Sequence, residues 1–295
     1  ASIEISGTKF LRPLTYDENI GSAQVKSCII LGALNTPGIT VLNAKYSRNH
    51  TELMLKFLNY PIKIKRKKKY ERISIQGLKQ FNSFNYKIPG DISSASFFIV
   101  LTLLSQKSQM TIKNVNVNKS RIGVLNILNK MGASIKLKNK KTYNGEKIAD
   151  IFIKSKKNLN SIICPPKINS TAIDEFLIIF LVAAKAKGIS RFKDLGEMNK
   201  KESKRLDLAT KFLKLIGVKV ERSKNNINIY GNPSLILKDS YEIKNFLKDH
   251  RIFFLSCIAA LTLGGKWKIH DKDSINTSFP KFLKSLEIVG AKIRC

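Results

Sequence analysis

Acidic residues are scarce: 21 Asp and Glu stand against 53 Lys and Arg in 295 residues, a formal net charge of +32. Long apolar runs are also lacking. The longest, Phe176 to Ala184 and Ile252 to Leu263, fall short of the ~20 residues a membrane helix needs, and Ser256, Cys257 and Thr262 interrupt the second. Gly and Pro, at 16 and 8 residues, are not in excess, and apolar residues recur throughout, which excludes a collagen-like or disordered chain. Neither end carries a secretory signal pattern. The cysteines Cys28, Cys164, Cys257 and Cys295 form no CxxC pair, and His50, His250 and His270 lie far apart. No metal site is expected from them. Cys28 and Cys257 sit in apolar helical runs and read as buried thiols in a reducing cytoplasm. No Gly-rich phosphate loop or Ser nucleophile elbow is found either, so no nucleotide cofactor is expected.

What is present is a chain long enough for two domains, each able to bury its own core. The positive surplus is compatible with nucleic acid, a membrane surface or an anionic substrate as partner. Lysine far exceeds arginine, and Ile and Asn are abundant, so codon bias accounts for much of it as background. The densest run, Lys63 to Lys69, carries no interleaved aromatic residue for base stacking and is expected to be a solvated loop.

One pattern recurs four times: a polar lead, an apolar helix, a turn, a strand, then a second helix feeding another strand. The leads start at Ser22, Asp91, Asp174 and Asp249, spaced by 69, 83 and 75 residues. The strands after the first helices are Gly38 to Val41, Met110 to Ile112, Gly188 to Phe192 and Trp267 to Ile269. Leu53, Leu55 and Leu58 precede Pro61 to Ile64, Leu125, Leu128 and Met131 precede Gly132 to Ile135, and Phe212, Leu213 and Ile216 precede Gly217 to Val220. Phe282, Leu286 and Val289 precede Gly290 to Ile293 in the same way. Units of this length exceed the ~20–50 residues of solenoid repeats, which points to compact α/β units packed around shared helices.

The leads are where chemistry belongs, because a helix N-terminus offers unpaired N–H groups and a positive dipole end to an anion. Ser22, Ser93 and Ser94 are either helix caps or phosphate ligands, and Asp174 and Glu175 read first as caps of the helix that follows. Lys201 and Arg205, four apart, would share a helix face. Arg251 stands at the mouth of an apolar helix, where an unpaired guanidinium is costly, so an anionic partner is expected; Arg48 has a similar context. Separate cationic clusters at repeat leads suit a cleft for a small, multiply anionic substrate.

Seven strings in order complete the pattern: Ser22-Ala23-Gln24-Val25-Lys26-Ser27, Ser47-Arg48-Asn49-His50-Thr51-Glu52, Pro89-Gly90-Asp91-Ile92-Ser93-Ser94-Ala95, Ile173-Asp174-Glu175, Lys201-Glu202-Ser203, Asp249-His250-Arg251 and Thr277-Ser278-Phe279-Pro280. Together they resemble the 5-enolpyruvylshikimate-3-phosphate synthase family along nearly the whole chain. The resemblance implies a two-domain inside-out α/β barrel of six α/β units, four of them present here. It implies domains of 1–117 and 118–295 with a crossing near Val117 to Arg121. The absence of a methionine at Ala1, inside a strand-like run, agrees with an expected upstream third carrying a Lys-Ser motif and a Gly-rich loop. Without that third, 1–295 is expected to be inactive.

By the same resemblance the substrates are shikimate 3-phosphate and phosphoenolpyruvate, on the route to chorismate and aromatic amino acids. The enzyme is expected to be cytoplasmic, cofactor-free and monomeric when complete, with no specific nucleic acid or membrane partner. Ser22, Ala23 and Gln24 would bind shikimate 3-phosphate with help from Arg48, and Lys201 would touch the shikimate moiety. Asp174 would accept the proton of the attacking hydroxyl, Glu202 would join in proton transfer, and Arg205 and Arg251 would clamp phosphoenolpyruvate. The departures are Asn199 and Lys200 where arginine and valine are usual, Lys204 in place of an aspartate, and Thr277 where some members carry lysine. The alternatives are a UDP-N-acetylglucosamine enolpyruvyl transferase and a basic nucleic-acid-binding protein; the Ser22-Ala23-Gln24 and Lys201-Glu202-Ser203 strings favour the first reading.

Overall fold

The computed structural model describes residues 3–294. Ala1 and Cys295 lie outside the described residues. Contacts divide the chain into two compact units, 3–88 with Lys141–Lys147, and Pro89–Lys140 with 148–294. Among the described residues no helix is long and apolar enough to cross a membrane.

The first unit runs β1 (Thr15–Glu18), α1 (Ala23–Leu34), β2 (Ile39–Lys45), α2 (His50–Phe57), β3 (Ile62–Arg66) and β4 (Tyr70–Gln76). Its sheet has the order β1-β2-β4-β3. β1 and β2 are parallel, which requires a crossover, and α1 supplies it. Leu42 and Ala44 of β2 and Ile73 and Ile75 of β4 alternate inward against Ile30 and Ala33 of α1 and Leu55 of α2. The strand-like run expected at the start is not a strand: 3–14 carry no strand, although the Leu14 carbonyl at the end of this stretch accepts from the Val41 N–H at 2.9 Å, and Ile3 and Ile5 are exposed.

Two further expectations are corrected here. The strand expected over Pro61 to Ile64 runs on through Lys65 and Arg66 along β4, so the expected loop shrinks to Lys67–Lys69, which form the turn. Ile62 and Ile64 supply the alternation, and β3 is the sheet edge, where lysines discourage pairing with another chain. The lysines themselves are solvated, as expected. Replacing Lys65, Lys67, Lys68 and Lys69 with Gln should therefore lower retention on heparin at ~0.15 M salt and leave the circular dichroism spectrum unchanged. Cys28 is exposed, because α1 turns Lys26, Ile30 and Ala33 inward and position 28 falls on the opposite side of the helix. Cys257 is buried as expected.

The second unit contains α3 (Ile92–Leu104), β5 (Gln109–Asn116), α4 (Gly123–Lys130), β6 (Ser134–Tyr143), β7 (Glu146–Lys154), β8 (Ile163–Cys164), α5 (Asn169–Ala172), α6 (Phe176–Lys185) and β9 (Gly188–Phe192). It continues with α7 (Arg205–Leu215), β10 (Val220–Ser223), β11 (Asn226–Gly231), β12 (Leu237–Ile243), α8 (His250–Leu263), β13 (Gly264–Ile269) and α9 (Phe282–Ile288). The sheets are β10-β11-β9-β8, β12-β13 and β5-β7-β6. The β6–β7 turn, Asn144-Gly145, is counted with the first unit; both residues have positive φ, and a Cβ on Gly145 would come within 2.9 Å of the Leu53 carbonyl.

Helices α3, α6 and α8 are apolar on almost every side and therefore sit inside, packed on one another. Phe97 of α3 meets Phe254 of α8 edge-on at 5.1 Å, and Phe282 of α9 stacks obliquely on Phe254. This is the repeat expected from the sequence, with helices inside and strands outside. One detail differs. The segment 291–294 forms no strand, since among the described residues no neighbour pairs with it. By contacts, α3 belongs with α6 and α8 in the second unit, which begins at Pro89.

Candidate active site

The N-terminal ends of the three inner helices meet, and the cationic leads converge there. Asp174, just before α6, is 8% exposed. Its Oδ1 receives the Lys201 ammonium at 3.6 Å and the Arg205 guanidinium at 3.4 Å. Arg251, at the start of α8, donates through Nη1 to the Asp174 backbone carbonyl at 2.9 Å. Arg205 is 1% exposed: Nε donates to Asp249 at 3.0 Å, and Nη2 lies 2.7 Å from the exposed Glu202 carboxyl as an ion pair without a hydrogen bond. Ser203 also donates to Asp249, at 2.6 Å. Burial pushes the Asp249 carboxyl up, but the Arg205 guanidinium and the Ser203 hydroxyl outweigh it and hold the group below its ordinary value. Asp249 thus has two tasks, since its other oxygen caps α8 by accepting from the Arg251 N–H.

Several local expectations change with this geometry. Lys201 and Arg205 do not share a helix face, because α7 begins only at Arg205; they meet through Asp174 instead. The missing aspartate at Lys204 does not free Arg205, which has three carboxylates around it. Asn199 is explained by its Oδ1, which accepts from the Leu206 N–H at 2.9 Å and so satisfies the start of α7. Ser93 and Ser94 are not caps: Asp91 caps α3 by accepting from the Ser94 N–H. Glu175, at the cap position of α6, makes no capping bond. It receives the Ser93 hydroxyl, whose oxygen in turn accepts from Arg121 Nη2 at 2.5 Å. Burial raises the Glu175 carboxyl, against the opposing pull of Arg251 and Arg121. Asp249, Ser203, Ser93 and Arg121 were not singled out as a network, and only their places in the repeat leads hinted at it.

In the first unit, Ser22 caps α1 by accepting from the Val25 N–H, and it faces the Gln24 amide oxygen at 3.4 Å. Buried Glu18 accepts from the N–H groups of Ile20, Gly21 and Ser22 at 2.8–3.1 Å, fixing the turn that presents Ser22, Ala23 and Gln24. Gly21 has φ +86°, a backbone region glycine enters at little cost. Arg48 is half-buried just before α2. Among the described residues no group of His, Cys, Asp and Glu is placed to hold a metal ion.

The family description that matches the chain, over residues 1–286, is EPSP synthase (3-phosphoshikimate 1-carboxyvinyltransferase). The 3-phosphoshikimate 1-carboxyvinyltransferase of Petrotoga mobilis is 38% identical over 97% of this chain and 65% of its own length. That of Ruthia magnifica is 36% identical over 99% and 65%. The chain therefore spans about 65% of the length of these relatives. The EPSP synthase of Acinetobacter baumannii superposes with a TM-score of 0.86 at 33% identity, covering 97% of this chain and 64% of that one. The enolpyruvyl transferase NikO of Streptomyces tendae shares the fold, with a TM-score of 0.73 at 15% identity over 97% of this chain and 66% of its own. With these matches running nearly end to end over the four repeats and the Asp174 cluster, the chain belongs to the EPSP synthase family.

Proposed function

We propose that this chain supplies most of an enzyme that transfers the enolpyruvyl group of phosphoenolpyruvate to the 5-hydroxyl of shikimate 3-phosphate, releasing phosphate. The observation that carries the reading is the convergence of Asp174, Lys201, Arg205 and Arg251 at the joined N-termini of α3, α6 and α8. The reaction asks for those groups. A base beside the 5-hydroxyl takes its proton as the oxygen bonds to the enol carbon, an acid protonates the methylene carbon, and the steps reverse at the methylene as the carbon–oxygen bond to phosphate breaks. Asp174 is the base in this assignment, and the exposed Glu202 carboxyl serves the methylene carbon. Glu202 rests on Arg205, so an anionic substrate on that guanidinium displaces it toward the reacting carbon.

Arg205 and Arg251 hold the phosphate and carboxylate, for which the planar guanidinium fork is suited. Lys201 contacts the shikimate moiety, and Ser22, Ala23 and Gln24 with Arg48 take its 3-phosphate. Residues 1–117 and 118–295 are assigned to the two family domains, with the crossing near Val117 to Arg121.

Arg251→Lys should raise the phosphoenolpyruvate requirement more than the shikimate 3-phosphate requirement. Lysine keeps the charge, but a single ammonium does not span the Asp174 carbonyl and a substrate oxygen together as the fork does. Steady-state titration of both substrates checks this, and equal weakening of the two would count against the assignment. The reading as a whole is tested by fusing the chain to the part of the Petrotoga relative that it does not match. Phosphate release is then measured with shikimate 3-phosphate or UDP-N-acetylglucosamine as acceptor. Release with the first acceptor alone is expected. Release only with the second would transfer the chain to the cell-wall reaction.

A further inference from the structure

The least solvated charges of the first unit lie away from the substrate groups assigned above. Lys26 of α1 is 0% exposed and Glu52 of α2 is 1% exposed, with Lys26 Nζ 2.6 Å from Glu52 Oε1. Glu71 of β4 stands 4.0 Å from the same ammonium and is itself held by Arg66 Nε at 3.3 Å. Apart from this pairing, neither the Lys26 ammonium nor either Glu52 oxygen has a hydrogen-bond partner among the described residues. Such a pair is a poor source of stability, because two charges have been taken out of water without the extra hydrogen bonds that offset the loss. Apolar side chains of the same volume would fill the site more favourably.

The position of the pair suggests what it does. Lys26 follows Ser22 by four residues and Gln24 by two, and Glu52 follows Arg48 by four. One residue after Lys26 and one before Glu52, the Ser27 and Thr51 hydroxyls meet at 2.7 Å. Two stitches therefore join the start of α1 to the start of α2. The inner one is a close ion pair out of water, so sliding or turning either helix would draw apart two buried opposite charges, a cost that an apolar contact would not impose.

We propose that the buried Lys26–Glu52 pair is a positioning device that sets Ser22 and Gln24 at the spacing from Arg48 that a phosphorylated, anionic ring substrate needs. The inference rests on the assignment of shikimate 3-phosphate to these residues. Both act through other side chains and touch no substrate.

The test uses the fused chain, with shikimate 3-phosphate titrated by calorimetry and unfolding followed by circular dichroism. Lys26→Met alone and Glu52→Leu alone strand a buried charge and should lower the unfolding midpoint. The double variant Lys26→Met/Glu52→Leu should recover or exceed the original midpoint, yet bind shikimate 3-phosphate at least tenfold more weakly, with turnover at saturation little changed. A stable double variant with unaltered affinity would reduce the pair to a structural one and overturn the proposal. If the double variant does not fold, Glu52→Asp keeps the charge but withdraws the carboxylate by one methylene. An affinity loss is again expected from it, and unaltered affinity overturns the idea. Failure of the unsubstituted fusion to bind shikimate 3-phosphate would instead remove the underlying reading, and this inference with it.

Discussion

Asp174→Asn in the fused chain is expected to lower turnover by ~10²–10⁴-fold, the usual cost of losing a general base, with shikimate 3-phosphate affinity changed only a few-fold. The amide retains the shape of the carboxylate, and its oxygen can still accept from the Lys201 ammonium and the Arg205 guanidinium, which lie 3.6 and 3.4 Å from Oδ1. The backbone carbonyl that receives Arg251 is untouched. What disappears is the capacity to take a proton from the attacking hydroxyl, so the loss belongs in the rate and not in binding. Single-turnover kinetics beside calorimetry separate the two. Near-normal turnover with a raised shikimate 3-phosphate requirement would take Asp174 out of the catalytic role.

Arg205→Met should act on the fold as strongly as on the reaction. The side chain is 1% exposed and neutralises Asp249, whose own side chain is 0% exposed, and Asp174 at 9%. Removing the cation leaves two carboxylates out of water, and breaking a buried pair from one side costs about 3–5 kcal/mol. Urea denaturation reads this as a lowered midpoint at unchanged slope. Adding Asp249→Asn should return part of the stability, since the amide still receives the Ser203 hydroxyl and no longer carries an unpaired charge. It should return no activity, because the phosphoenolpyruvate clamp is still missing. An Arg205→Met chain as stable as the original would mean that the guanidinium is not the centre of this cluster.

The inner helices were legible because an apolar run behind a short polar lead has few other solutions. Phe176 to Ala184 is buried on all sides, and Asp91 and Asp249 cap the two helices that follow them. The repeat order also carried the strands, since alternation in β2 and β4 is a period-2 signal. It failed at 291–294, where a strand-like pattern has no neighbour to pair with among the described residues. At Lys65 and Arg66, charge obscured the end of an edge strand whose alternating isoleucines were visible.

The candidate site was legible as residue types but not as a network. Lys201, Arg205 and Arg251 were identifiable as cations at helix leads. Their common attachment to Asp174 joins residues 27 to 77 positions apart, and no local pattern reports that. For the same reason Glu175 looked like a cap, although its partner Ser93 lies 82 residues earlier. Lys26 stands in an otherwise ordinary helix, and its only local signal is a charge on the face shared with Ile30 and Ala33.

The central proposal is that Asp174 is the base, and Arg205 and Arg251 are the anion clamp, of one enolpyruvyl transfer. The measurement that bears on it most directly is a crystal structure of the fused chain with shikimate 3-phosphate and a non-reacting phosphoenolpyruvate analogue. The account predicts the 5-hydroxyl oxygen within hydrogen-bond distance of the Asp174 carboxylate and the analogue's anionic groups on the guanidinium groups of Arg205 and Arg251. Both ligands ordered in the protein yet making no contact with Asp174, Arg205 or Arg251 would contradict it.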